Sequence, residues 1–150
     1  MAADGPKSKK QSVASFRSKP PEPFVVFLDR SLGKNRIASA LRQAGVEVHV
    51  HDDDFSPDAR DEEWLQEVGQ RGWVVFTKDR KIRYRSPELA AIIRANVRTF
   101  VLTGGNLQGE EMGRTFVKAL PAIRRFVSRN PPPFVATVTR SGSVSIVFVP

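Results

Sequence analysis

Phe24-Val25-Val26-Phe27-Leu28-Asp29 and, farther along, Trp73-Val74-Val75-Phe76-Thr77-Lys78-Asp79 are the two stretches on which the fold of this chain turns. Each is a short, continuous apolar run rich in β-branched and aromatic residues. That pattern suits a strand covered on both faces, as in a parallel sheet, better than one with a wet side. Each run also closes on an aspartate. If the two strands are parallel neighbours, both carboxylates emerge at the same carboxyl edge, where open α/β sheets bind their ligands.

The segments around these runs alternate in period. Residues 33–44 carry Ile37, Leu41 and Ala44 at helical spacing, and Gly45 supplies a stop. Val46, Val48 and Val50 alternate with Glu47, His49 and His51, which predicts a strand with one polar face. Asp52 to Pro57 reads as a loop. Asp61 is placed to cap a helix reaching about Arg71, with Trp64, Leu65 and Val68 facing inward and Gly72 ending it. A short helix over 87–96 and a fourth strand over 97–102 follow. Thr103-Gly104-Gly105-Asn106 then turns into a long amphipathic helix over about 109–127, with Pro121 inside it. After Pro131-Pro132-Pro133, two apolar runs flank Arg140-Ser141-Gly142-Ser143, a hairpin signal over 134–149. Strands alternating with helices predict a three-layer α/β/α domain over 24–150. Its central sheet is mainly parallel, with a C-terminal β-hairpin as an appendage and no fifth core strand in the usual place.

Composition narrows the function. The 150 residues are enough for one domain with a core, and hydrophobic residues make up 40 % of them. No apolar run approaches the ~20 residues that span a bilayer. The first residues lack the apolar core of a secretory signal, so a cytoplasmic protein is expected. The chain has no cysteine, which excludes disulfides, zinc–thiolate sites and cysteine nucleophiles. A formal net charge of +8 favours a polyanionic partner such as nucleic acid. Residues 1–23 are polar, basic and proline-rich, and read as a flexible arm.

Against that positive balance, the acids at the expected edge stand out. Asp29, Asp61 with Glu62, and Asp79 occur in the order strand, acid, helix, acid, strand, acid. Taken singly, Asp61, Glu62 and Glu63 read as helix-terminal or solvated acids. Taken together, carboxylates that repel one another mark a place where a cation sits between them. Mg²⁺ or Mn²⁺ takes carboxylate and water oxygens, and such an ion activates water against a phosphodiester without a nucleophilic side chain. Lys78, Arg80, Lys81, Arg83 and Arg85 surround Asp79 and suit a phosphate backbone, with Tyr84 placed to stack on an unpaired base. Ser31, Lys34 and Arg36, which follow Asp29 near the start of the next helix, are candidate phosphate contacts. Arg114, Lys118, Arg125 and Arg129 share a face of the long helix and read as its solvent side. His49 and His51 lack a third ligand and read as surface residues.

The ordered set Phe27-Leu28-Asp29, Asp61-Glu62-Glu63-Trp64 and Val74-Val75-Phe76-Thr77-Lys78-Asp79-Arg80 resembles the PIN-like domains, which include the VapC-type toxin ribonucleases. The resemblance covers about residues 24–129, and the hydrophobic-Thr-x-Asp-Arg segment is its most specific part. It implies a Mg²⁺- or Mn²⁺-dependent endoribonuclease in which Asp29, Asp61 and Asp79 are metal ligands and Glu62 is the next acid. It also implies a toxin held by a separate antitoxin, and a homodimer. Many members carry a further acid just beyond the third strand. Here Arg80, Lys81, Ile82 and Arg83 occupy those positions, so a fourth acid has to come from Asp52, Asp53, Asp54 or Glu110, or is missing.

Two other readings follow from the same residues. A PIN-like module that holds RNA or a protein without cutting is favoured by the missing fourth acid. A phosphoacceptor receiver domain also gathers acids at a sheet edge, but expects paired acids after the first strand, where Asp29 stands alone.

Overall fold

The computed structural model describes residues 24–83, 87–105 and 107–149. The basic arm over 1–23 and Tyr84 fall outside them, as do the side chains of Lys81 and Arg83. Eleven elements follow one another: β1 (Val25–Leu28), α1 (Arg36–Gln43), β2 (Glu47–Val50), α2 (His51–Asp54), α3 (Asp61–Arg71), β3 (Val74–Thr77), α4 (Pro87–Ala95), β4 (Arg98–Leu102), α5 (Gly109–Arg129), β5 (Phe134–Val138) and β6 (Val144–Phe148). Short 3₁₀ turns cover Arg30–Leu32 and Arg80–Arg83.

The strands form one sheet in the order β2-β1-β3-β4-β5-β6. The first five are parallel and β6 returns antiparallel along β5. The apolar runs explain the layering, because successive residues point to opposite faces. Val26, Leu28, Val74, Phe76, Phe100 and Phe134 face α1 and α5, while Phe27, Val75, Val101 and Val135 face α3 and α4. The architecture is therefore three-layer α/β/α. In a doubly wound sheet of this order the winding direction reverses between β1 and β3, and the crevice beyond their carboxyl ends is the expected binding place.

The hairpin forms, but its first strand is no appendage. β5 lies fully buried beside β4 as a fifth parallel strand, so the expectation that this strand is absent or displaced is overturned. Every one of its five residues is buried, which gives Phe134 to Val138 the energetic reason to join the core. Of the two hairpin strands only β6 is a sheet edge, the opposite edge being β2.

Local differences have local causes. Asp29 caps the turn Arg30–Leu32, its side chain accepting the Ser31 amide, so α1 begins at Arg36 rather than Gly33. Arg60, not Asp61, holds the cap position of α3; the Glu63 carboxylate accepts the Arg60 amide at 3.2 Å. His51 was expected on the polar face of a strand. It instead opens α2, the expected loop at Asp52 to Asp54, and is 1 % exposed. Its ring sits among Phe27, Phe55 and Trp64 at centroid distances of 6.2, 5.9 and 5.8 Å, and the helical turn that starts at this residue points it inward. His49 stays half-exposed, stacked on Trp73 at 4.1 Å and bonded to Glu47 and Asp54.

Two glycines matter to the layer that α3 and α4 form. Gly72, at φ 71°, takes the left-handed conformation that ends α3. Gly69 lets α3 touch the end of α4: a Cβ there would overlap the Ala95 carbonyl oxygen and approach Val97 Cγ2 to 3.2 Å. Gly69→Ala is therefore expected to destabilise the protein by about 1–2 kcal/mol, the overpacking cost outweighing alanine's better helix propensity. A lowered urea midpoint at unchanged m-value is the readout, and an equal or raised midpoint would show that the two helices are not in such close contact.

Candidate functional site

β1 and β3 pair in parallel with Leu28 opposite Phe76, and the Asp29 amide donates to the Phe76 carbonyl at 3.1 Å. This register sets Asp29 beside Thr77 at the carboxyl edge. Thr77 is fully buried, and its hydroxyl donates to Asp29 Oδ2 at 2.8 Å. Ser31 Oγ donates to the same oxygen at 2.7 Å. The two hydroxyls lie 3.2 Å apart, and they also receive backbone amides: Lys78 N–H on Ser31 Oγ and Asp79 N–H on Thr77 Oγ1. One oxygen of Asp29 is thus held by hydroxyl donors on two strands' ends. Its Oδ1 carries none of these bonds. The segment Thr77-Lys78-Asp79 is anchored by the same pair of hydroxyls.

Asp61, in the first turn of α3, accepts the Trp64 indole N–H at 3.1 Å through Oδ1. Because Trp64 is buried and stacks on Phe27 at 5.2 Å, this bond ties the carboxylate to the core. Asp29, Asp61 and Asp79 line one cavity, and Glu88 from the first turn of α4 joins them. The remaining wall is largely apolar, from Trp64, Leu65, Val75, Ile82 and Ile92. Its free space is about 20 Å³, room for one water-sized guest.

The donor chemistry fits a hard divalent cation: several carboxylates, a dry wall and space for one small occupant. Among the described residues no three acidic or histidine side chains are already gathered as a metal cage. The four carboxylates instead line the wall of the same cavity.

Glu62 lines a neighbouring cleft with Arg60 and Arg94, not the acidic cavity. The Ser31 hydroxyl is engaged by Asp29 and so acts on the acid's orientation. Lys34, Lys78 and Arg80 are exposed near the edge. Asp52 pairs with His51 and Asp54 with His49, away from the cavity. Glu110 lines a groove with Arg36 and Arg114 between α1 and α5. Glu88 was missed. The available signal was an acid directly after Pro87, at the start of the helix that follows the third strand.

The PIN like domain family model matches residues 24–104, a span that contains every acid of the cavity. A curated relative, "Putative ribonuclease VapC45" of Mycobacterium tuberculosis (strain ATCC 25618 / H37Rv), is 28 % identical over 126 residues, which cover 81 % of this chain and 91 % of that protein. No solved structure matches. The doubly wound sheet, the acids where its winding reverses and a family match over more than half of the 150 residues agree: the chain belongs to the PIN-like domain family.

Proposed function

We propose that this protein is a metal-dependent endoribonuclease that hydrolyses RNA phosphodiesters with water, and that it is the toxin of a toxin–antitoxin pair. The reading is carried by one observation: four carboxylates, Asp29, Asp61, Asp79 and Glu88, line one small cavity at the ends of β1 and β3. Asp29, Asp61 and Asp79 would hold Mg²⁺ or Mn²⁺, with Glu88 as the fourth acid. When bound, such an ion polarises the scissile phosphate and makes water nucleophilic near neutral pH.

The chain's own residues do the rest. Ser31 and Thr77 fix the rotamer of Asp29, and Trp64 fixes Asp61, so that the acids need not be reorganised for each turnover. The apolar wall limits competing water. Lys34, Lys78 and Arg80, exposed near the edge, attract the backbone; the side chains of Lys81, Arg83 and Tyr84, the further phosphate and base contacts expected from the sequence, lie outside the described residues. The likeness to the mycobacterial relative, named a putative ribonuclease, supports the ribonuclease part. An antitoxin would silence the protein by placing a basic side chain among the acids.

A second reading, a PIN-like module that binds RNA or a protein without cutting, draws on the lack of a ready-made cage among the described residues. Incubating RNA with the protein in Mn²⁺ and in EDTA separates the two. Cleavage in Mn²⁺ alone supports the enzyme. RNA that is retained but intact under both conditions supports the module.

A further inference from the structure

The acidic cavity does not end at its acids. Asp61 and Glu88 also form the near wall of a second space, a cleft of about 430 Å³ between the N-terminal halves of α3 and α4. Past Glu62, Ala91 and Arg94 this cleft continues into a hollow of about 250 Å³ that reaches Gln66 and Ala95. The three spaces share walls in sequence and form one track from the acids along the helix pair.

The shape has a sequence origin. At the far end Gly69 brings the backbone of α3 onto the Ala95 carbonyl and closes the gap. Toward the acids, α4 presents Ala90 and Ala91, and Ala59 precedes α3, so small side chains leave the space between the helices unfilled. Both helices start at the carboxyl edge, so the open end lies beside Asp61 and Glu88. The cleft is therefore a wedge with apolar alanine surfaces. Arg60 and Arg94 supply cations, and the Glu62 carboxylate and Gln66 amide supply acceptors and a donor.

We propose that this wedge is a nucleotide subsite: it receives one unpaired nucleotide next to the scissile phosphate, the base between the alanine surfaces and its phosphate at Arg94 and Arg60. The inference rests on the ribonuclease reading. A flat aromatic base suits a narrow apolar slot, and its edge needs both donors and acceptors, which Gln66 and Glu62 offer. Guanidinium groups, with their fixed fork of N–H donors, suit a phosphate diester. A base inside a duplex is stacked and cannot enter, so the site selects single-stranded RNA.

The test measures anisotropy of a labelled eight-nucleotide single-stranded RNA on the full chain in EDTA, where nothing is cut. Arg94→Ala is expected to weaken binding about tenfold and to reduce the salt dependence by about one phosphate contact. Ala90→Leu, which plugs the slot without changing charge, is expected to weaken binding about fivefold to tenfold with the salt dependence unchanged. Thermal melting of both variants establishes that they are folded. Wild-type affinity in both folded variants overturns the proposal, and so does a wild-type protein that binds no single-stranded RNA. Thermal melting with and without Mn²⁺ tests the underlying reading separately, because a bound ion stabilises the fold whatever the cleft holds. Loss of the subsite leaves this shift in place, whereas its absence in the wild type refutes the metal-dependent enzyme whatever the cleft binds.

Discussion

Asp29→Asn is expected to lower Mn²⁺-dependent RNA cleavage by about a thousandfold while leaving the fold intact. That factor corresponds to the several kcal/mol a bound ion supplies to a charged transition state. The substitution does more than remove a charge. Oδ2 of Asp29 receives hydroxyl hydrogens from both Ser31 and Thr77. An asparagine satisfies those donors only by turning its carbonyl oxygen toward them. Its NH₂ then takes the place of Oδ1, and a ligand oxygen is replaced by a group that repels a cation. The hydrogen bonds to β3 survive, so secondary structure and melting temperature stay near wild type. Removing one of four like charges even favours the metal-free protein slightly. The distinguishing measurement is thermal melting with and without Mn²⁺. Wild type gains stability from the ion in proportion to its occupancy, and Asp29→Asn gains little. A variant that still cuts RNA, or that is stabilised by Mn²⁺ as strongly as wild type, would remove Asp29 from the site.

Part of this arrangement is legible in the sequence for a physical reason. Strands covered on both faces must be continuous apolar runs, and chain direction makes their last residues emerge at one edge, so Asp29 and Asp79 can be assigned to that edge unaided. What stays hidden is anything decided by packing between distant segments. The pairing of β1 with β3, which puts Thr77 against Asp29, depends on the winding order of the sheet. The conversion of His51 from a surface residue to a buried one depends on a single helical turn and three aromatic neighbours. β5 escaped assignment to the core because a proline run before it and a turn after it are equally the marks of an isolated hairpin. Its burial beside β4 gives the sheet the order that phosphoacceptor domains also have. Strand count therefore does not separate the two classes. The solitary acid after β1 and the family match do.

Glu88→Gln is the second substitution with a large expected effect, a loss of about tenfold to a hundredfold in metal-dependent cleavage. The residues after Asp79 are basic or apolar, so the chain lacks an acid where PIN-like domains often carry one, and only the packing of α4 reveals a substitute. Pro87 has no amide to satisfy and fixes the backbone angle at the first helical position, which sets where α4 begins. Glu88 then falls in the first turn, at the same edge as β3's end, with a side chain one methylene longer than aspartate. That reach lets it line both the acidic cavity and the cleft beyond. Glutamine keeps the length and loses the charge, so the defect should appear as a higher Mn²⁺ concentration for half-maximal activity as well as a lower maximum. Glu110→Gln is the control, since Glu110 lies with Arg36 and Arg114 on the opposite layer and bears on none of these acids. An unchanged Mn²⁺ midpoint in Glu88→Gln would mean that three aspartates suffice. In that case the glutamate belongs to the cleft, and an equal loss in Glu110→Gln would trace the effect to net charge rather than to the cavity.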